Sequence, residues 1–459
     1  MQITSDNGKN ERRDGEMSEI RKTVLGRVSK RLIPLLFLLY LFSYVDRVNI
    51  GYAALQMNSD LGFSPAVFGL GAGLLFLGYF AFGIPSNFVL QKIGGRAWLS
   101  VLAIVWGAIA VANSMIATEN MFYVMRFLLG VAESGFVPGM LLYLTVWYPQ
   151  SERAKVVSTM YMATAVSVVL AGPLSGAIMQ LDGVIGISGW RWILILEGIP
   201  PIVLGIWAWL ALPERPDTVD WLSHDEGKWL ANEIEIDREV PRDLGYDTFQ
   251  KAVRAPIVWV FGLVYFLLGI GFFSVMIWLP QLIKQISALT AVQVSFVSAI
   301  PFICASICMV LYGKHSDKTK ERQRHLGLAL LVGAGGLLAS ASFNNPIAAL
   351  AALCLAAMGL WSATGVFWPM PTAFLSGGGA VGGLALINSI GILGGFAGPY
   401  IVGIVRNLTP DFSAALYCVA AAVLAGALIV SQLHRSAVVR AIRDQAQNLN
   451  HLQGQTNAT

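Results

Sequence analysis

Charged side chains are scarce in this sequence. Asp, Glu, Lys and Arg make up 13% of its 459 residues, whereas a soluble globular chain carries about 25%. Apolar residues reach 56%, and the mean hydropathy is +0.64. This balance excludes an ordinary soluble domain and gives no reason to expect a nucleic-acid partner. It predicts an integral membrane protein surrounded by lipid.

Cysteine and histidine are also scarce, with four and five copies. All four cysteines fall in apolar runs, so we expect neither a disulfide framework nor a metal site. All five histidines lie outside the apolar runs, which contain no His-Glu-x-x-His pattern. No Gly-x-x-x-x-Gly-Lys-Ser/Thr loop for ATP is present. We therefore predict that the protein is not an enzyme and has no cofactor.

The first 31 residues lack the apolar core of a cleavable signal peptide. They are polar and charged, and we expect residues 1–31 to form a disordered cytoplasmic tail.

What the sequence does contain is twelve apolar runs, each long enough to cross about 30 Å of hydrocarbon as a helix. A polar segment, 213–255, separates six runs from the next six. We therefore predict an all-α polytopic membrane protein with two six-helix bundles, 32–212 and 256–434, followed by a cytoplasmic tail, 435–459. Each bundle looks self-sufficient, so we expect a monomer. The runs are 32–55, 65–90, 97–117, 120–147, 156–181, 191–212, 257–283, 291–313, 326–343, 346–369, 380–405 and 412–433.

The basic residues predict the orientation, because Lys and Arg are retained on the cytoplasmic side. Of the 31 basic residues, only Lys284 and Arg406 fall in loops on the other side, and Arg47, Arg126 and Arg191 lie in or at the start of runs. We therefore expect both termini in the cytoplasm and the chain in a bacterial-type inner membrane.

Four charged residues interrupt the first and fourth runs: Asp46, Arg47, Arg126 and Glu133. A charge at the centre of a membrane helix costs about 3 kcal/mol, so such residues are normally partnered and functional. Asp46 and Glu133 each lie about 20 Å into their runs at 1.5 Å per residue. Both carboxyls are thus expected near the bilayer middle, where alternating-access transporters place their sites.

These residue types suit the binding of an organic anion together with protons. The guanidinium fork matches a carboxylate and is always charged. A buried carboxyl beside it can change its protonation state when an anionic substrate competes for the arginine. The alternative is that Asp46 and Arg126, or Arg47 and Glu133, are ion pairs that only lock helices together.

The two halves carry similar loops at corresponding places, 87–96 and 313–322. With twelve spans, this arrangement resembles the major facilitator superfamily. Several further segments resemble its anion:cation symporter branch, which includes bacterial permeases for phthalate, tartrate, 4-hydroxyphenylacetate and sugar acids; the resemblance covers about residues 30–435. These segments are 46–50, 126–136, 138–139, 189–192 and 197–198.

The resemblance implies a secondary active transporter that imports a small organic carboxylate with protons, driven by the proton gradient. It implies that Asp46 and Glu133 are the coupling groups and that Arg47 and Arg126 bind the substrate carboxylate. It also places Tyr79, Trp368 and Asn388 where this branch contacts substrate, although aromatic residues in spans are commonly packing or interface residues.

Several alternatives stay open. The transporter could exchange anions without net proton movement, and a membrane receptor is a more distant alternative. Glu197 could be a coupling group or the partner of Arg191. Glycines in the second and eleventh runs are expected to permit close helix crossing. Aromatic residues of the second half would suit an aromatic acid, while hydroxylated acids remain possible: Tyr265, Trp361, Phe367 and Trp368.

Overall fold

The computed structural model describes residues 3–239, 253–373, 375 and 377–433. These residues are almost entirely helical, as predicted. The helices are α1 (Ile3–Leu61), α2 (Pro65–Ile93), α3 (Gly95–Ala112), α4 (Glu119–Glu133), α5 (Phe136–Trp147), α6 (Gln150–Met179), α7 (Gly189–Ala211), α8 (His224–Glu239), α9 (Pro256–Ile286), α10 (Ala291–Val297), α11 (Ala299–Thr319), α12 (Arg322–Ser342), α13 (Pro346–Phe367), α14 (Gly377–Leu408) and α15 (Ser413–Leu433).

Twelve helical stretches are long and apolar enough to cross a membrane, which confirms the twelve predicted spans. We number them spans 1 to 12 in chain order. Span 4 consists of α4 and α5, which are separated near its middle, and span 8 consists of α10 and α11, which are separated near its start. Span 3 is α3 followed by a 3-10 turn, Asn113–Met115, and each remaining span lies within a single helix. Helix α8 lies between spans 6 and 7 and is too polar to cross a membrane.

The N-terminal tail differs from the prediction of disorder. Helix α1 begins at Ile3, so most of the segment 1–31 is helical. Val24 and Val28 lie one turn apart and are fully buried. Arg27 forms an ion pair with Glu226, a residue of the central segment. The prediction was wrong because this packing depends on a partner far along the chain, whereas the predicted tail 435–459 lies outside the described residues.

The central segment is docked on the N-terminal half. Its helix α8 follows Ser223, whose Oγ accepts a hydrogen bond from Glu226 N at 3.2 Å while Ser223 N donates to Glu226 Oε2 at 2.9 Å. This reciprocal pair has the form of a capping box. Just before it, Trp221 stacks on Trp147 of span 4, with ring centroids 5.9 Å apart. The Arg31 guanidinium lies 5.0 Å from the Trp221 ring centroid.

The halves meet at one end of the bundle. We call the end that carries residues 92–96, 149–155, 213–239 and 314–322 the basic end, and the other the opposite end. Span 2 crosses span 11 near the opposite end, where a Cβ built on Gly69 would lie 2.5 Å from the Pro399 carbonyl oxygen and 2.9 Å from the Gly403 Cα. Spans 1 and 7 meet there at Gly51, and spans 5 and 8 at Gly172.

Nearer the basic end, Tyr161 shows where the packing between the halves loosens. The Tyr161 ring of span 5 faces Tyr40 of span 1 at 6.0 Å, yet Tyr161 is 47% exposed. Its hydroxyl also acts electrostatically on Tyr265 of the second half. The close glycine crossings between the halves described above thus lie toward the opposite end.

Most of the predicted glycine crossings are present. In span 2, Gly73 approaches the Phe396 carbonyl oxygen, and Gly78 approaches that of Phe127. In span 11, Gly398 approaches the Ile270 carbonyl oxygen. Gly83 is the exception, because a Cβ there would meet nothing within 4 Å.

Candidate functional site

Span 1 presents Asp46 and Arg47 to different neighbours. Successive residues of an α-helix point about 100° apart, so the two side chains diverge although they are adjacent in sequence. Arg47 faces span 4, where it meets Glu133. Asp46 lies beside Trp106 of span 3, and the charges of Glu133 on span 4 and Glu197 on span 6 act on it. Both are buried, with 7% of Arg47 and 1% of Asp46 exposed.

Arg47 and Glu133 form a buried ion pair. Arg47 Nε donates to Glu133 Oε2 at 2.7 Å. The arginine also lies between two tyrosine rings, 4.9 Å from the Tyr44 centroid and 5.0 Å from the Tyr79 centroid. At these distances the cation interacts favourably with both ring faces. The structure therefore forms one of the two predicted ion pairs and places Tyr79 against the arginine.

Arg126 is buried without a direct partner. It is 1% exposed, and its Nε and Nη2 have no hydrogen-bond partner among the described residues. Glu133 and Asp46 are the acidic groups that act on it electrostatically, but no described ion pair joins either to Arg126. The predicted Asp46–Arg126 pair is therefore not formed. A buried guanidinium with open donors costs several kcal/mol unless an anion compensates it.

Asp46 is only partly satisfied. Its Oδ1 accepts a hydrogen bond from Asn49 Nδ2 at 3.4 Å, one turn further along span 1. Its Oδ2 has no hydrogen-bond partner among the described residues. The charge of Glu133 also acts on it. Asp46, Arg126 and Glu133 thus belong to one electrostatic cluster, in which only Glu133 has a close cation.

Glu197 and Arg191 do not pair, and this alternative was wrong. Six residues along a helix correspond to a rotation of about 240°, so the two side chains leave span 6 in different directions. Arg191 donates to the carbonyl oxygens of Ser114 and Ile116 and lies 4.3 Å from the Trp190 ring centroid. Glu197 Oε1 accepts a hydrogen bond from Ser175 Oγ at 2.8 Å.

The second half brings an aromatic wall to the same region. Tyr265 of span 7 stacks on Phe367, with centroids 4.7 Å apart, and meets Trp368 edge-on at 5.0 Å. Tyr44, Tyr79 and Tyr161 of the N-terminal half act electrostatically on the Tyr265 hydroxyl. Trp368 therefore belongs to an aromatic wall that approaches the tyrosines beside Arg47.

The other aromatic candidates serve as packing. Trp361 is 4% exposed and contacts Phe272 at 4.1 Å and Phe302 at 5.3 Å. Phe367 is fully buried. Asn388 of span 11 is partly exposed and lies one turn before Gly391, which contacts the Tyr265 ring. No described contact joins Asn388 to the arginines.

The sequence analysis did not predict that several tyrosines surround Arg47. Tyr40 and Tyr44 meet edge-on at 5.5 Å, and Tyr44 precedes Arg47 by three residues. That spacing places them on one helix face, so this part of the surround was detectable from the sequence. Tyr161 is contributed by span 5, and nothing in its neighbourhood signalled it.

Comparison with known proteins gives a consistent result. The family model described as Major Facilitator Superfamily matches residues 36–399. A putative tartrate transporter of Agrobacterium vitis is 41% identical over 430 residues, which cover 93% of this chain and 94% of that protein. A quinolone resistance transporter of Acinetobacter baumannii is 37% identical, covering 90% of this chain and 95% of that protein.

A solved structure supports the fold. The bacterial homologue of the human lysosomal transporter Spinster, crystallised in an inward-facing and occupied conformation, superposes with a TM-score of 0.69. It is 18% identical, and the match covers 91% of this chain and 96% of that one. The relatives matched are transporters rather than enzymes. On the family match and on these identities, the chain is a multi-pass membrane transporter that belongs to the major facilitator superfamily.

Proposed function

We propose that this protein imports a small organic carboxylate together with protons by alternating access. The observation that carries the proposal is Arg126, a buried guanidinium whose Nε and Nη2 have no described partner. The group that best compensates such a cation is an anion presenting two oxygens. Because Arg126 lies in the midst of the spans, the anion has to enter from the open space between the halves.

Glu133 supplies a means of coupling. It is held by Arg47 at 2.7 Å, and a carboxylate substrate at the arginines competes for the same guanidinium. Loss of that ion pair leaves Glu133 buried with an uncompensated charge, a state that proton uptake relieves. Asp46, with its free Oδ2, is the second acid in this cluster. Substrate and proton thereby occupy the site together.

The relatives suggest the substrate class. The Agrobacterium vitis protein carries tartrate in its name, and several tyrosine hydroxyls near Arg47 can bind a hydroxylated acid. The rings of Tyr265 and Trp368 suit an aromatic acid equally well. We propose the shared chemistry, a small carboxylate, and leave the choice between these two to the transport assay.

The basic end is proposed to face the cytoplasm, since basic loops are retained there. On this proposal the more loosely packed end, marked by the exposed Tyr161, faces the cytoplasm, and the protein resides in the bacterial inner membrane. The charged neighbours of Arg126, Asp46 and Glu133, come from the same chain, so no second copy of the chain is needed, and we propose a monomer.

The test is uptake into proteoliposomes under an imposed pH gradient. A panel of radiolabelled aromatic and hydroxylated carboxylates, including tartrate, is combined with an internal pH dye. We expect one acid to accumulate while the lumen acidifies. Asp46→Asn and Glu133→Gln should abolish accumulation yet retain counterflow exchange. Glu119→Gln, an exposed acid at the start of span 4, is the matched control and should behave as the wild type.

Anion exchange is the competing function, and the Arg47–Glu133 pair favours it, because a paired glutamate can stay ionised throughout the cycle. Exchange predicts uptake only into liposomes preloaded with another anion, without lumen acidification. Accumulation driven by the pH gradient in the double carboxyl variant would contradict the assignment of Asp46 and Glu133.

A further inference from the structure

A third buried carboxyl lies in the N-terminal half, and no described cation compensates it. Glu197 of span 6 is 1% exposed, and its Oε2 has no hydrogen-bond partner among the described residues. Its Oε1 accepts a hydrogen bond from the Ser175 hydroxyl, and its other polar neighbour is the neutral Asn49 side chain. Two neutral groups compensate a buried carboxylate poorly, and such a group is more stable when it carries a proton. Glu197 therefore does not serve as half of an ion pair that holds two helices together, because no described cation pairs with it.

Glu197 lies closer to the opposite end than the substrate site. It is eight residues from the start of α7 at Gly189, about 12 Å, whereas Asp46 is fifteen residues from the end of α1 at Leu61, about 22 Å. Asn49 lies between the two acids in depth. Its Nδ2 donates to Asp46 Oδ1, and its side chain also interacts with Glu197.

The next turn of span 1 reaches the closed junction between the halves. Tyr52 is fully buried and interacts with Glu197 on one side and with Ser298 of span 8 on the other. A Cβ on Gly172 of span 5 would lie 3.0 Å from the Tyr52 hydroxyl. The same glycine contacts the Ser295 backbone of span 8. Separation of spans 5 and 8 at the opposite end would therefore expose the region around Glu197 to water.

We propose that Glu197 is a third proton-binding site, which takes up a proton from the opposite end and passes it to Asp46. The proposal rests on the proposed proton coupling. When spans 5 and 8 separate, a hydronium ion gives its proton to the Glu197 carboxylate: an O–H bond of hydronium breaks, water is left, and an O–H bond forms on Glu197. The Glu197 O–H bond then breaks as an O–H bond forms on the Asp46 carboxylate, with Asn49 holding the two acids in line.

The surroundings of Glu197 contain few other groups that titrate. Span 1 contributes Asp46 and Tyr52, and span 5 contributes the neutral Ser175. Span 3 has Arg96 as its one charged residue, at the far basic end where it pairs with Glu214. A proton on Glu197 is thus felt by Asp46, as a relay requires, and also by the Tyr52 hydroxyl.

The first test measures protonation directly and needs no substrate. Infrared difference spectra between acid and alkaline pH are recorded on reconstituted wild type, Glu197→Gln and Glu197→Asp. We expect a band of a protonated carboxyl that is absent from Glu197→Gln, retained in Glu197→Asp and still present in Asp46→Asn. Identical difference spectra for wild type and Glu197→Gln would overturn the proposal, because Glu197 would then keep one protonation state throughout.

The second test measures coupling, with radiolabelled tartrate as the probe if it is transported, or otherwise the acid that the panel identifies. We expect Glu197→Gln to lower accumulation driven by the pH gradient at least tenfold, with counterflow within twofold of wild type. Unchanged accumulation at every pH would contradict the relay. If the wild type shows no accumulation driven by the pH gradient, the proposed function fails, and the infrared result alone decides whether Glu197 binds a proton.

The hydrogen bond from Ser175 provides a finer test. Ser175→Ala removes the one hydroxyl that stabilises the ionised carboxylate, so the midpoint of the infrared titration should shift. Ser167→Ala is the matched control, since Ser167 lies on the same helix, is fully buried and donates only to the carbonyl oxygens of Ala163 and Thr164. Equal shifts in both variants would assign the effect to helix packing and contradict the role of Glu197.

Discussion

The two six-helix halves share an architecture but differ in what they bury. All buried Asp, Glu and Arg side chains among the described residues belong to the N-terminal half, and no described lysine is buried. The second half buries serines, a histidine and large aromatic residues, and it holds Tyr265 and Trp368 in edge-on contact. The charges are Asp46, Arg47, Arg126, Glu133 and Glu197.

This difference assigns separate tasks to the halves. On the proposed function, the N-terminal half carries the electrostatic chemistry, because binding of the anion and of the proton would both require its ionisable groups. The proposal gives the second half the role of an aromatic wall whose shape and ring faces select among anions. Substitutions in the first half should therefore decide whether transport occurs and whether it is coupled, while those in the second should change apparent affinity.

The largest effect is expected at Arg126. In Arg126→Ala, the substrate carboxylate loses its charged hydrogen bonds, which contribute about 1.5–3 kcal/mol each. Two such bonds correspond to at least about 100-fold in apparent affinity, so uptake should fall below detection. The measurement is initial uptake together with thermal unfolding of the purified protein. Lys155→Ala, an exposed basic residue, is the control. Near-normal uptake by a folded Arg126→Ala variant would contradict this role and would assign substrate binding to the second half.

A smaller effect is expected where the halves touch. A Cβ at Gly69 would lie 2.5 Å from the Pro399 carbonyl oxygen, and backbone cannot move aside cheaply. Gly69→Ala should destabilise closure of the opposite end by about 1–3 kcal/mol. Spin labels at Glu119 and Asn344, on a background with the native cysteines replaced, should report a longer distance.

Span 2 also offers a matched control for this substitution. Gly83→Ala changes the same residue type in the same helix, but its added Cβ meets nothing within 4 Å. It should leave both the distance distribution and uptake unchanged. Equal lengthening in both variants would mean that the two halves are not held by the Gly69 crossing.

Much of the fold was predictable from the sequence, since hydropathy is local and a spanning helix satisfies its own backbone. The twelve spans follow from that alone. The helical structure before residue 31 was not predictable from hydropathy. It is accompanied by the burial of Val24 and Val28 and by the ion pair between Arg27 and Glu226, a residue far along the chain.

The site was predictable in composition but only partly in pairing. The buried charges could be named from their positions in apolar runs. Whether Arg47 or Arg126 would face Glu133 depends on the rotation of spans 1 and 4 about their axes, which the sequence does not specify. The error over Glu197 and Arg191 was avoidable, because their helical phase already separates them.

A moderate effect is expected in the aromatic wall. Trp368→Phe should raise the apparent KM about two- to tenfold, since a favourable aromatic contact contributes about 0.5–1.5 kcal/mol. Trp361→Phe should instead lower thermal stability with KM unchanged, because Trp361 is packed against Phe272. Uptake kinetics and unfolding temperatures of both variants check this. An increase in KM confined to Trp361→Phe would mean that Trp361 contacts the substrate and that Trp368 serves as packing.

The smallest effect is expected at the docked central segment, whose helix α8 packs against spans 1 and 4 of the N-terminal half. The backbone N–H of Ser223 lowers the pKa of Glu226 below its usual value, and Arg27 adds to the effect. A carboxyl with a lowered pKa stabilises the docked state above its unfolded pKa of 4.5, and this contribution is lost as the pH falls through the folded value. Glu226→Gln should reproduce that loss at neutral pH.

The expected loss is about 0.5–1 kcal/mol, because the Arg27–Glu226 pair is partly exposed. Hydrogen exchange of the amides in α8 should therefore rise about two- to fivefold in Glu226→Gln, and acidification should add little further in that variant. The neighbouring exposed Asp225 offers the control, and Asp225→Asn should exchange as the wild type does. A change in uptake by Glu226→Gln would mean that the central segment contributes to transport. The tasks of the N-terminal half would then include its docked helix α8 at the basic end as well as its spans.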